Sequence, residues 1–270
     1  MPGVSVSYAG SGQSITSNSM GMRAMQQRVW QFRGEQYLLL KSPPASGKSR
    51  ALMFVALDKL HRQNLKQAIV AVPEKSIGAS FGNTLLARDG FFSDWTVAPQ
   101  WNLCNAPGTD GGKVDALGRF LAAANHVEEL VKTPVVELVK APVVELVKAP
   151  AEDSGSPRNF DKFHYDRILV CTHATFRFAF EKFGVEAFDD RLIAIDEFHY
   201  VSVSEDNRLG DFVRQLMARD KTHLIAMTGS YFRGDAAAVL MPEDERRFET
   251  VTYTYYEQLS GGGASRSCWP

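Results

Sequence analysis

Residues 37–62 have the sequence YLLLKSPPASGKSRALMFVALDKLHR. The stretch begins with an apolar run, Tyr37 to Leu40, which has the length and composition of a buried strand. It ends with Ser49 to Arg62, where apolar residues recur at the spacing of one helix face. A short loop of serine, proline and glycine joins the two. A strand, a glycine-containing loop and a helix in this order predict a phosphate-binding turn in an α/β protein.

The loop predicts a site for Mg²⁺ and ATP. The free N–H groups at the start of the following helix, together with its positive dipole end, converge on the point where a triphosphate would lie. Gly47 lets the backbone approach the phosphates, Lys48 reaches the β- and γ-phosphates, and Ser49 supplies a hydroxyl to Mg²⁺. We include the flanking residues Ser46 and Arg50 among the predicted nucleotide contacts.

The rest of the chain alternates strand-like and helix-like segments. Apolar runs of strand length occur at Tyr37–Leu40, Gln67–Val72, Arg167–Thr172, Arg191–Ile195 and His223–Met227. Amphipathic helical patterns occur at Ser49–Arg62 and again at Leu209–Arg219. This alternation predicts a doubly wound parallel sheet of the α/β class.

Two adjacent carboxylates follow the strand-like run LIAI at residues 192–195. Ligands of open α/β sheets bind at the carboxyl ends of the strands, so Asp196 and Glu197 are predicted to lie beside the phosphate loop. Asp196 would hold Mg²⁺, and Glu197 would orient and deprotonate an attacking water. We therefore predict Glu197, Lys48 and Asp196 as the catalytic group, with Ser49 and Asp196 as the metal ligands.

Five segments, taken in order along the chain, carry a family resemblance. They are SPPASGKS (42–49), AVPEKS (71–76), CTHAT (171–175), DEFH (196–199) and MTGS (227–230). This order resembles the first RecA-like domain of superfamily 2 helicases and translocases of the DExH (DEAD/DEAH box) type, over roughly Met22 to Tyr256. The resemblance implies a P-loop RecA-like fold, ATP hydrolysis and binding of single-stranded or duplex DNA or RNA.

The resemblance also implies roles for further residues. Gln26, 22 residues before Lys48, is similar to the residue with which the family reads adenine. The residues implied to contact the nucleic-acid backbone are Pro73, Lys75 and Thr172. The residues implied to couple the ATP site to the strand groove are His199, Thr228 and Ser230.

The chain departs from the family pattern in its loop and in its extent. Ser42 stands where the general pattern G-x-x-x-x-G-K-[ST] has its first glycine, and Ala45 replaces a glycine common in the family. In the family that this sequence resembles, two RecA-like domains clamp ATP between them, and the second domain donates an arginine. After Tyr256 only a short tail remains here, so we expect a second domain to be missing or supplied elsewhere, and hydrolysis by this chain to be poor. Arg233 could substitute, although a structural arginine is the simpler interpretation.

The predicted domain spans residues 21–258, between tails at 1–20 and 259–270 that are rich in small and polar residues. Three octads, VEELVKTP, VVELVKAP and VVELVKAP, fill residues 127–150. Because each octad ends in proline, no continuous helix can run through all three, and we expect residues 127–160 to form a surface excursion.

Composition limits the partners and the location of the chain. Its formal net charge is −1, so no overall basic field favours polyanions, and any nucleic-acid contact must be local and weak. Its apolar runs are of strand length, which speaks against a membrane protein. The absence of a secretory signal pattern favours the cytoplasm.

Two alternatives to the helicase motor remain open. One is another P-loop ATPase, such as a DNA-packaging motor. The other is a non-catalytic module that uses ATP binding as a switch and binds a partner through the octads. The order of the five family-like segments favours the motor.

Overall fold

A computed structural model describes residues 18–132, 167–198, 208–229 and 242–259 of the chain. Six parallel strands form one sheet in the order β3-β2-β4-β5-β1-β6. The strands are β1 (Tyr37–Lys41), β2 (Ala68–Val72), β3 (Ile168–Thr172), β4 (Leu192–Ile195), β5 (His223–Thr228) and β6 (Glu249–Thr252). This arrangement confirms the predicted α/β class with a parallel sheet.

The described ranges contain seven α-helices. They are α1 (Ala24–Gln31), α2 (Lys48–Arg62), α3 (Asp110–Lys132), α4 (His173–Phe183), α5 (Arg208–Arg219), α6 (Pro242–Glu245) and α7 (Tyr255–Leu259). Short 3₁₀ turns lie between β2 and α3 and after α4. None of these helices combines the length and the apolarity that crossing a bilayer requires.

Both faces of the sheet are buried, because neighbouring residues of each strand point to opposite sides. In β1, Leu38 and Leu40 pack with α1 and α2, whereas Tyr37 and Leu39 pack with α3, α4 and α5. In β2, Val70 joins the first of these cores in the same way. Two cores on opposite faces are what a doubly wound sheet requires.

The strand predictions agree with the structure within one residue at each end, but β6 was not predicted. Its sequence, ETVT, contains a single buried side chain, that of Val251. As an edge strand, β6 pairs with β1 alone. It therefore lacks the continuous apolar run by which the other five strands were found.

The helix α3 enters the first octad of the repeat. It continues to Lys132 and ends two residues before Pro134, in keeping with the conformational restriction that proline imposes on the residue before it. The excursion predicted from residue 127 thus begins with helix. Residues 133–166, most of the tail predicted at 1–20 and residues 260–270 lie outside the described ranges.

Candidate nucleotide site

Three neighbouring strands bring the predicted ATP-site residues to one edge of the sheet. β1 leads into the phosphate loop and Lys48, β4 leads into Asp196 and Glu197, and β5 leads into Gly229. Because β4, β5 and β1 are adjacent and parallel, their carboxyl ends meet. The sequence placed these groups far apart along the chain, and strand order brings them together.

The loop is shaped by positive backbone dihedrals and by its own hydrogen bonds. Gly47, the residue before α2, has φ +94°, and Ala45 has φ +61°. The hydroxyl of Ser42 donates to that of Ser46 at 2.5 Å, so the serine at the first glycine position braces the loop. Lys48 Nζ donates to the carbonyl oxygens of Ser42 at 3.1 Å and Pro43 at 3.2 Å.

The ionisable side chains of the site have shifted pKa values. Burial lowers the pKa of Lys48, and the nearby carboxylates of Glu197 and Asp196 partly offset this. Burial, reinforced by the charge of Glu197, raises the pKa of Asp196 to about 6. Two carboxylates and one ammonium group that lie close together and are shielded from water are typical of a functional site.

Glu197 is held in an unusual conformation that joins β4 to β5. Its φ is +46°, which is uncommon for a residue with a side chain. Its N–H donates to Asp196 Oδ1 at 3.0 Å, and its Oε2 accepts from the N–H of Gly229 at 3.2 Å. The link to Gly229 was not predicted, although MTGS had been singled out, because no local pattern indicates which carboxylate an N–H will meet.

Gly229 packs closely against the predicted catalytic residues Lys48 and Glu197. A Cβ placed there would lie 3.2 Å from Lys48 Nζ and 3.6 Å from Glu197 Oε1. Thr228, predicted to couple the sites, is buried, and its carbonyl accepts from the N–H of Ser42 at 3.1 Å. The end of β5 therefore contacts both the loop and the predicted base. The other predicted coupling residues, His199 and Ser230, lie outside the described residues.

Gln26 contacts the phosphate loop from α1. Its Nε2 donates to Gly47 O at 3.3 Å, and its Oε1 accepts from the N–H of Arg23 at 2.8 Å. The side chain is 1% exposed. Both ends of the amide are therefore engaged by protein, and reading of adenine by Gln26 stays a prediction.

The predicted contacts at the start of α2 divide into two groups. Ser46 and Ser49 lie on either side of Gly47 and Lys48, Ser46 buried and Ser49 half-buried. Arg50 forms a salt bridge with Asp89 and stacks on Phe54, with its Cζ 5.6 Å from the ring centre. The sequence contained no signal for the pairing with Asp89, which comes from an irregular segment 39 residues away.

The groups available fit a Mg²⁺ ion. Magnesium prefers oxygen ligands, keeps several waters and is usually held by one or two carboxylates together with substrate phosphates. Asp196 is a buried carboxylate at this edge, next to the carboxylate of Glu197. Ser49 offers a hydroxyl in the first turn of α2.

The residues predicted to contact nucleic acid lie at the same edge, on the other side of the sheet's centre. Val72 and Thr172 are register partners in β2 and β3, so Pro73 and Lys75 emerge next to Thr172. Lys75 is exposed. The Thr172 hydroxyl accepts from the N–H of Thr175 at 3.2 Å and so caps α4. Its structural role as a cap is observed, and its contact with nucleic acid stays a prediction.

His173 connects this strand edge to the carboxylates. Its Nε2 lies 3.0 Å from the backbone oxygen of Asp196. In the structure the ring bridges the end of β3 to the end of β4.

Comparison with known proteins finds a similar sequence and a similar structure. No family model matches it. The helicase domain of Pyrococcus furiosus Hef aligns with 85% of this chain and 38% of its own, with a TM-score of 0.46 and 14% identity. The "Putative ATP-dependent helicase YeeB" of Bacillus subtilis (strain 168) is 45% identical over 258 residues, which is 96% of this chain. Nearly the whole chain is thus similar to part of a protein named as an ATP-dependent helicase. The chain spans 36% of the length of this Bacillus subtilis relative.

Proposed function

We propose that this domain binds Mg²⁺ and ATP and acts as the first motor domain of a DExH-type nucleic-acid helicase or translocase. The observation that supports this most directly is the meeting of Lys48, Asp196 and Glu197 at the carboxyl ends of β1 and β4. Lys48 would neutralise the phosphates, Asp196 and Ser49 would hold Mg²⁺, and Glu197 would orient the attacking water.

Contacts with the nucleic-acid strand are proposed at the ends of β2 and β3, which belong to the same edge of the sheet as the ATP site. Lys75 and Thr172 would touch the nucleic-acid backbone, and Thr228 would pass the state of the ATP site to those strand ends. His173 supports this arrangement because its contact with the Asp196 backbone joins the end of β3 to the end of β4. We propose DNA or RNA as the substrate class, bound weakly by this domain alone.

A second RecA-like domain is proposed to complete the ATP site. An arginine donated in trans can raise phosphoryl-transfer rates by a factor of about 10³–10⁵. Within the described part of the chain, the arginines near the loop have other partners: Arg50 pairs with Asp89 and Arg28 pairs with Glu257. Hydrolysis by this domain alone is therefore expected to be slow.

Lys48→Ala tests the nucleotide site. A fluorescent ATP analogue in the presence of Mg²⁺ should bind the wild-type chain and lose most of its affinity for the variant, because the main cation on the phosphates is gone. Lys182→Ala is a matched control, since that exposed lysine pairs with Asp115 far from the loop. Equal binding by the wild-type chain and Lys48→Ala would refute the assignment.

ATPase assays discriminate the motor from its alternatives. Strand-stimulated phosphate release, once a second domain is added, supports the motor. Hydrolysis that duplex DNA stimulates and single strands do not would favour a packaging-type ATPase. Binding without hydrolysis under every condition would favour a nucleotide-dependent interaction module.

A further inference from the structure

The short C-terminal helix α7 bridges α1 and the phosphate loop. Arg28 in α1 donates through Nη2 to Glu257 Oε1 at 2.6 Å. One residue further on, Gln258 donates through Nε2 to Pro44 O at 3.4 Å. The helix is therefore tied on one side to the segment proposed to face the base, and on the other side to the loop proposed to hold the phosphates.

The amide of Gln258 has unused hydrogen-bonding capacity. Its Oε1 is buried and has no hydrogen-bond partner. The orientation of the amide follows from chemistry, because the Pro44 carbonyl can only accept and so faces the NH₂ group. The oxygen that remains is an acceptor without a donor, and a buried acceptor of this kind costs free energy until a donor reaches it.

Gln26, the other glutamine beside the loop, differs in this respect. Its Nε2 and Oε1 are both engaged, by Gly47 O and by the N–H of Arg23. A base that used Gln26 would have to break one of these contacts. A donor that approached Gln258 Oε1 would satisfy a group that now has no partner.

We propose that Gln258 determines base specificity, accepting a hydrogen bond from the exocyclic amine of adenine. Guanine carries a carbonyl oxygen at the same ring position, which cannot donate to Oε1. Tyr255 lies three residues earlier on the same side of the helical turn and is 49% exposed, which leaves aromatic surface beside the base. This inference rests on the proposed nucleotide site and adds the reader of its base.

The test separates recognition of the base from recognition of the phosphates. Binding of fluorescent ATP and GTP analogues, and competition by inorganic tripolyphosphate, are measured on the full chain in Mg²⁺. The wild-type chain should prefer ATP to GTP. Gln258→Met has a side chain of similar size but without an acceptor oxygen. It should weaken the binding of ATP about three- to tenfold, which corresponds to the loss of one neutral hydrogen bond. GTP and tripolyphosphate should bind as before, and the exposed residue change Gln31→Met should alter none of the three.

Each outcome is decisive for one of the two proposals. An unchanged ATP-to-GTP preference in Gln258→Met, or no preference in the wild-type chain, overturns the role of Gln258 while leaving the phosphate site intact. Loss of all three ligands in Lys48→Ala supports that site independently. Should Gln258→Met melt at a lower temperature than the wild-type chain, Gln258→Asn provides the second variant. It keeps the amide but is one methylene shorter, so the preference for ATP should fall, and an unchanged preference counts against the proposal.

Discussion

Gly47 is a position where both the backbone conformation and the available space disfavour a side chain. Its φ of +94° lies in the left-handed region that side chains disfavour. A Cβ at this position would also lie 2.6 Å from Gln26 Nε2. Two separate costs therefore fall on any substitution of this glycine, one in the backbone and one in the contact with α1.

We predict that Gly47→Ala lowers the free energy of unfolding by about 1–2 kcal/mol for the backbone alone, and by more while Gln26 is present. In a Gln26→Ala background the same change should cost less, because the clash has been removed. Urea unfolding of the four chains measures the difference. Gly34→Ala is the control, since nothing lies within 4 Å of its Cβ position, and equal costs at the two glycines would contradict the prediction.

At the scale of elements, the buried Lys59 and the half-buried His223 tie α2 to β5 away from the ATP site. Lys59 Nζ lies 2.9 Å from His223 Nδ1 and donates to Glu35 O at 2.7 Å. Burial, followed by the charge of Lys59, lowers the pKa of His223 from 6.5 to about 4. Between these two pKa values, His223 is therefore neutral in the folded chain and protonated in the unfolded chain.

The stability of the fold should accordingly fall as pH drops from about 6.5 towards 4, the window between the unfolded and folded pKa values of His223. We expect a loss of about 1–2 kcal/mol, below the full linkage value because the ring keeps some contact with solvent. His223→Gln keeps an acceptor for Lys59 and should flatten this part of the profile. His61→Gln should leave it unchanged, and an identical slope in wild type and His223→Gln would rule out the assignment.

On the scale of the whole molecule, the domain carries a candidate base and cation but is proposed to need an arginine from elsewhere. Glu197→Gln should abolish the slow residual ATPase activity and preserve ATP binding, since it leaves Lys48 and Ser49 in place. Phosphate release and equilibrium binding, each with and without single-stranded DNA or RNA, measure the two effects. The exposed residue change Glu181→Gln should alter neither. Fast, strand-stimulated turnover by the monomeric chain would contradict the proposal and make Arg233 the first arginine to test.

The sequence by itself determined the class of the fold and the place of the loop between β1 and α2, whose phosphate-binding role stays a prediction. Both follow from local patterns: the apolar run before Ser42, the helical period after Lys48, and the carboxylate pair that follows the apolar run at 192–195. These patterns depend on neighbours a few residues apart, so they survive without knowledge of the fold. They also sufficed to find every inner strand of the sheet.

The tertiary structure decided which of these residues meet. Strand order brings Gly229 to Glu197, and packing of the segment after β2 against α2 brings Asp89 to Arg50. Neither pairing leaves a trace in local periodicity. The edge strand β6 buries one side chain, so its amino acids carry almost no apolar signal, and it forms because β1 offers a free edge to pair with. α7 follows this strand, and its contact with Pro44 exists only because β6 ends beside the loop. Contacts between distant parts of the chain depend on register and strand order, which the fold as a whole sets.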